Sequence, residues 1–156
     1  MKRFLTVILI GISLAAGAQN DRLVKELAGD GSLFCKFAVT GVSTSGSSIS
    51  GKAWIQDESY RIEADTFQII CNGKTRWFYN ASSDELVVEN NDLSFLENPL
   101  EKLSDGSYRM TVKMQGGAVA IVSVHDIRQQ KERYSFEYFM MDPEKISLDT
   151  IVTDLR

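Results

Sequence analysis

Residues 60–80 read YRIEADTFQIICNGKTRWFYN. Tyr60, Ile62 and Ala64 alternate with Arg61, Glu63 and Asp65. That period of two places one set of side chains on each face of a strand. Thr66 to Cys71 forms the next strand, and Asn72-Gly73 is the dipeptide that best favours a tight hairpin turn. Thr75 to Tyr79 returns across it, with Trp77 and Tyr79 sharing a face. Short strands joined by short turns can only be neighbours running antiparallel.

The same grammar extends in both directions. Upstream, Leu33, Cys35, Phe37 and Val39 alternate with Phe34, Lys36, Ala38 and Thr40, and a Gly/Ser loop from Thr44 to Gly51 leads to a strand over Lys52–Gln56. Asp57-Glu58-Ser59 turns into the strand at Tyr60. Downstream, Ser82-Ser83-Asp84 turns into Leu86-Val87-Val88. Six short strands predict an antiparallel meander with one face on the core and the other wet. Its twist should curve it towards a barrel or half-barrel.

The ends and the middle differ. Leu23, Val24 and Leu27 have helical spacing within Asn20–Ala28, closed by Gly29 and Gly31. Leu93, Phe95, Leu96, Leu100 and Leu103 predict one or two short helices over 92–105, broken or started at Pro99. Strands are expected at Tyr108–Met114 and, after Gly116-Gly117, at Ala118–Val124. A polar stretch (Arg128–Arg133), an aromatic strand (Tyr134–Met140) and a last strand near Thr150–Thr153 complete the chain. The fold class is mainly β with short helices, in one domain over 19–156.

Residues 1–18 stand apart. Met1-Lys2-Arg3 is basic, Phe4 to Leu14 is apolar, and Ala16-Gly17-Ala18 is a small-residue cleavage signal. The apolar run is too short to cross a bilayer, for which about 20 residues are needed. We read 1–18 as a signal peptide cleaved after Ala18, which makes the domain an exported one. Losing Lys2 and Arg3 makes the domain more acidic than the −4 of the whole chain. Without a basic stripe, nucleic acid is not an expected partner. In an exported chain Cys35 and Cys71 could bridge, or pack as two small hydrophobes.

Catalytic signatures are missing. His125 is the one histidine, and the two cysteines are too far apart in sequence for a zinc-finger spacing. There is no G-x-S-x-G elbow, phosphate loop or G-x-G-x-x-G. We therefore expect no enzyme, no cofactor and no metal. What the chain does have is two Trp, five Tyr, eight Phe and five Met. By parity, Phe37, Val39, Ile55, Tyr60, Ile62, Ile69, Trp77 and Tyr79 face inwards. A packed core and an apolar cavity look alike at this level.

Asn72 to Asn80, NGKTRWFYN, resembles the D-G-K-x-x-W-x-Y turn-and-strand of the outer-membrane lipoprotein carrier (LolA-like) family. The surroundings agree in order: the leader, a short helix, the Leu33–Phe37 strand, a G-x-x-W strand at Gly51–Trp54, the Tyr60-Arg61-Ile62 strand, and a closing segment ending Asp154-Leu155-Arg156. The likeness covers most of 20–104 and the last 20 residues. It implies an unclosed antiparallel half-barrel whose concave face is capped by helices. It also implies a carrier that holds the acyl chains of a lipoprotein or lipid and shuttles them as a monomer from an inner-membrane transporter to an outer-membrane acceptor. The inward residues named above would line the cavity, and Leu93, Phe95, Leu96, Leu100 and Leu103 would belong to its lid. The chain departs from that pattern at Asp57 and Glu58, where enterobacterial-type carriers have an Arg-Pro that helps hold the lid. After Met114 it is also shorter and less polar. The alternative is a periplasmic lipid- or protein-sensing module with the same half-barrel.

Overall fold

The computed structural model describes residues 18–41, 48–91, 100–113 and 117–156. Helix α1 spans Ala18–Ala28. It stops where Gly29 takes a positive φ of 56°, so that its N–H donates back to the Lys25 carbonyl at 3.0 Å. Ten strands follow: β1 Ser32–Thr40, β2 Ile49–Gln56, β3 Ser59–Ala64, β4 Phe67–Asn72, β5 Thr75–Asn80, β6 Glu85–Asn90, β7 Glu101–Lys102, β8 Tyr108–Lys113, β9 Val119–Gln130 and β10 Ile151–Asp154. They form one unclosed sheet in the order β10-β6-β5-β4-β3-β2-β1-β9-β8-β7. The meander β1–β6 is antiparallel throughout, as expected. β9 adds to the other edge of β1, and β10 joins β6 in parallel.

Opposed residues share a face, so the ladder sorts the side chains. Cys35, Ala53, Ile62, Ile69, Phe78 and Val87 form one unbroken cross-strand row. This face carries the main core and is covered by Val24 and Ala28 of α1. Gly51 sits beneath the ring of Phe37 on it, and β3 passes so close that a Cβ would lie 2.1 Å from the Glu63 carbonyl.

Two expectations about faces are corrected here. Strand ends at Cys71 and Thr75 leave a three-residue loop, which puts Trp77 opposite Ile69. The actual loop is two residues, Gly73-Lys74, closed by Asn72 and Thr75. The Asn72 Oδ1 accepts from the N–H groups of Lys74 and Thr75, at 3.0 and 2.9 Å. Ile69 therefore opposes Phe78, and Trp77 and Tyr79 lie on the opposite face. A shift of one residue moves every side chain of a strand to the other side. Three aromatic residues in a row, Trp77-Phe78-Tyr79, conceal the register, because either parity looks apolar.

The second correction concerns the side expected to be wet. Residues 131–150 cross it from β9 to β6. Gln56 on β2 exchanges two hydrogen bonds with the backbone of Tyr134, at 2.8 and 3.1 Å. The Tyr138 ring packs edge-on against Trp54 and beneath the Arg61 guanidinium, whose Nη1 donates to the Tyr138 carbonyl at 3.1 Å. Phe139 is buried, as is Ile70 on this face. The expected aromatic strand is instead a 3-10 turn, Phe136–Phe139. An edge strand would leave one side of its rings in water, whereas a turn lets Tyr134, Tyr138 and Phe139 cluster. Asp84 then receives the returning chain. Its carboxylate accepts from Thr150 and Tyr79, and its carbonyl from the Ile151 N–H.

Candidate apolar binding site

Between α1 and the sheet lies an apolar seam. Leu23, Val24 and Leu27 form its roof, and Leu33, Cys35 and Ile55 its floor. Leu100, Tyr108, Val124 and Ile127 close its side. A bulge makes that side. The β1–β9 register shifts by one residue between Phe34 and Lys36, with Asp126 at a positive φ of 52°. An extra residue on one strand bends it and re-aims its neighbours. Val124 and Ile127 consequently both reach the seam. Asp126 is held on the other side by Lys36 and Arg128, each at 2.8 Å, whose hydrogen bonds keep its carboxyl below the usual range.

The free space within the seam is about 20 Å³. A cavity of that size holds one or two water-sized spheres, and its lining offers water almost no polar partner. It is a narrow join between helix and sheet. Burial alone pushes the Cys35 thiol up to about 12, since nothing near it favours a thiolate.

One end of the same face is polar. Arg76 is buried to 3 % exposure and donates to Glu89 from Nε and Nη2, at 3.0 and 2.8 Å. Tyr60 and Cys71 lie beside it, and burial raises both of their pKa values. The Tyr60 hydroxyl donates to Asn91 at 3.4 Å. The thiols of Cys35 and Cys71 are free. They stand on β1 and β4, three strand spacings or about 14 Å apart, which is well beyond disulfide reach.

The predicted residues divide cleanly. Phe37, Val39, Ile55, Tyr60, Ile62 and Ile69 come together in the core of the helix-bearing face, and Ile55 lines the seam itself. Trp77 and Tyr79 do not join them. Leu93, Phe95 and Leu96 lie outside the described residues. Leu100 reaches the seam and Leu103 sits in the β7–β8 turn, but 100–105 is strand and turn, not helix. Glu101 and Lys102 pair with Arg109 and Tyr108, so the backbone there is held by the sheet edge. Sequence reasoning missed the roof as part of the site. The helical spacing of Leu23, Val24 and Leu27 was its signal. Ile127 carried none, because only the bulge turns it inwards.

Among the described residues, no three of His, Cys, Asp or Glu converge as metal ligands, and no helix is long and apolar enough to cross a membrane. No protein-family model and no curated protein matches the chain. The crystal structure of an uncharacterized conserved protein from Thermus thermophilus is similar in fold. Its TM-score is 0.52 at 11 % identity, over 87 % of this chain and 99 % of that one. That likeness concerns the fold alone.

Proposed function

We propose that this chain is a divergent LolA-like carrier of the periplasm, which takes the acyl chains of a lipoprotein or lipid between α1 and the sheet and performs no catalysis. The observation that carries the reading is the apolar seam, roofed by a short helix on the core face of an unclosed sheet. The NGKTRWFYN turn and the order of elements around it support the family assignment. Donor and acceptor would be membrane proteins on either side of the periplasm.

A tail of many methylenes exceeds the 20 Å³ of the resting seam, so binding requires α1 to lift. The helix suits that role. At 11 residues it is too short to be stable alone, and Leu23, Val24, Leu27 and Ala28 dock it on the core. Exposing the three larger side chains costs about 6 kcal/mol, taking about 2 kcal/mol each. Burying about seven methylenes at about 0.8 kcal/mol each offsets this. A longer chain then binds with a modest surplus, which a carrier that must release its load requires. Gly29, at the helix end, is the residue able to change φ freely. At Gly31 the chain runs so close to β9 that a Cβ would lie 1.9 Å from the Gln130 carbonyl.

Native mass spectrometry of the protein purified from a periplasmic extract tests this. Co-purified acylated material of defined mass is the expected result. A bare polypeptide mass, from cells rich in lipoprotein and lipid, would overturn it.

A further inference from the structure

The segment 131–150 covers only part of the far face. Beyond Trp54 and Phe34, no other described segment crosses strands β2, β1, β9 and β8 on this side, and the composition of the surface is unlike that of the whole chain. Lys52 stands directly opposite Lys36, and Lys36 opposite His125. Arg109 and Lys113 follow on β8. Among the described residues, the carboxylates on this side are ion-paired, Asp126 with Lys36 and Arg128, Glu101 with Arg109, and Glu63, which stands opposite Lys52, with Arg61. Among the described residues, neither Lys52 nor Lys113 forms an ion pair. The like-charge pair Lys36–Lys52 is unfavourable in itself and is offset by Asp126 beside Lys36 and Glu63 opposite Lys52; Lys113 has no such partner among the described residues. This surface sits in a chain whose net charge is −4.

At the end of the same surface, two aliphatic side chains stand out of the sheet. Val119 is 44 % and Ile121 37 % exposed. Val119 pairs with Lys113, and Ile121 with Thr111. The result is a flat basic field, about 15–20 Å across at ordinary strand spacing, with an apolar rim beside one of its lysines. We propose that this half of the far face docks the protein on an anionic phospholipid surface. Lys36, Lys52, Arg109 and Lys113 would face the head groups, and Val119 and Ile121 would enter the interfacial layer. Lys52 and Lys113 are separate ammonium groups, which suit a fluid plane of charges. The guanidinium groups beside them, Arg109 and Arg128, are held by Glu101 and Asp126, and the rings of Phe34 and Trp54 pack on each other, with Phe34 under Arg128, so neither set is arranged for bases as in nucleic acid binding. The site is on the side away from the seam, so the proposal stands whether or not the seam accepts acyl chains.

Vesicle co-sedimentation of the full chain tests it, with vesicles of pure phosphatidylcholine against vesicles one-third phosphatidylglycerol. The apolar N-terminal run is common to every protein compared, so the reading is the difference between lipids and between variants. The wild type should partition at least tenfold better onto the anionic vesicles at low salt, and lose that preference at high salt. The exposed double variant Lys52→Glu/Lys113→Glu, its fold checked by circular dichroism, should lose about thirtyfold or more, since each basic residue near a charged membrane counts for about fivefold. Val119→Ser/Ile121→Ser should lose a few-fold at any salt. Equal partition onto both vesicle types, or a charge-reversed variant that binds as the wild type does, would overturn the proposal. Retention on polyglutamate without any vesicle preference would also overturn it, in favour of an acidic protein partner.

Discussion

Gly51→Ala tests the arrangement on which the site depends, because the side chains of the helix-bearing face are assigned through the β1–β2–β3 register. A Cβ at position 51 would lie 2.1 Å from the Glu63 carbonyl and 2.7 and 2.9 Å from two carbons of the Phe37 ring. Neither neighbour can give way easily. The carbonyl belongs to β3 beside Gly51, and Phe37 is only 1 % exposed, with core on its other side. Overpacking of this kind costs about 1–3 kcal/mol, and a clash with backbone belongs at the upper end, near 3 kcal/mol. With a urea m-value of about 2 kcal/mol/M for a domain of this size, the unfolding midpoint should fall by about 1.5 M. Urea unfolding followed by tryptophan fluorescence reads this directly. Ser50→Ala, at the exposed neighbouring position, should stay within about 0.5 kcal/mol of wild type. A Gly51→Ala midpoint within about 0.3 M of wild type would mean that Phe37 does not lie over Gly51. The face assignment of Cys35, Ile55 and Ile62 would then fall with it.

Three further outcomes follow from the same structure. Ile55→Ser should weaken binding of a fluorescent fatty acid by about tenfold or more when compared at equal folded fraction, the equivalent of about two lost methylene burials. Trp77→Ser, on the opposite face, should leave that binding unchanged; a loss equal to that of Ile55→Ser would reverse the site assignment. Glu89→Leu removes the carboxylate paired with buried Arg76 and should cost about 3 kcal/mol in urea unfolding, most of it regained in Arg76→Met/Glu89→Leu. Additive costs in that cycle would refute the pairing. The Cys35 thiol, raised from 9.0 to about 12, contributes stability that is complete below pH 9 and is lost as pH climbs through 12. The urea midpoint should decline across that interval, and the native thiol should resist alkylation at pH 8 until the chain unfolds.

The legible part of the fold was the part governed by alternation. Strands β1, β3 to β6 and β8 and helix α1 lie close to where the apolar spacing placed them, because one face of each is buried and the other less so; β2 begins earlier, at Ile49, and the final strand is exposed along its whole length, so burial does not explain its legibility. Legibility ended where both faces are apolar. Along Ile69-Ile70-Cys71 and Trp77-Phe78-Tyr79 the pattern cannot say which face is which, since Ile70 is buried on the far side. For Ile70 the cause lies outside its strand, in the Phe136–Phe139 turn that packs on β3 and β4. The Leu100–Leu103 segment failed for a related reason: its spacing suits a helix, but pairing with β8 at an open sheet edge decides its conformation. For the seam, the floor could be read from strand parity, while its size could not. Side-chain spacing records which residues meet and carries nothing about the gap left between them.

Hydrogen exchange of the purified protein with and without palmitate tests most directly whether the seam opens to take an acyl chain. Saturable binding should speed the exchange of α1 amides, while those of β1 to β6 stay as slow as before or become slower. Failure of palmitate to bind, or binding that leaves the exchange of α1 unchanged, would contradict a site between helix and sheet.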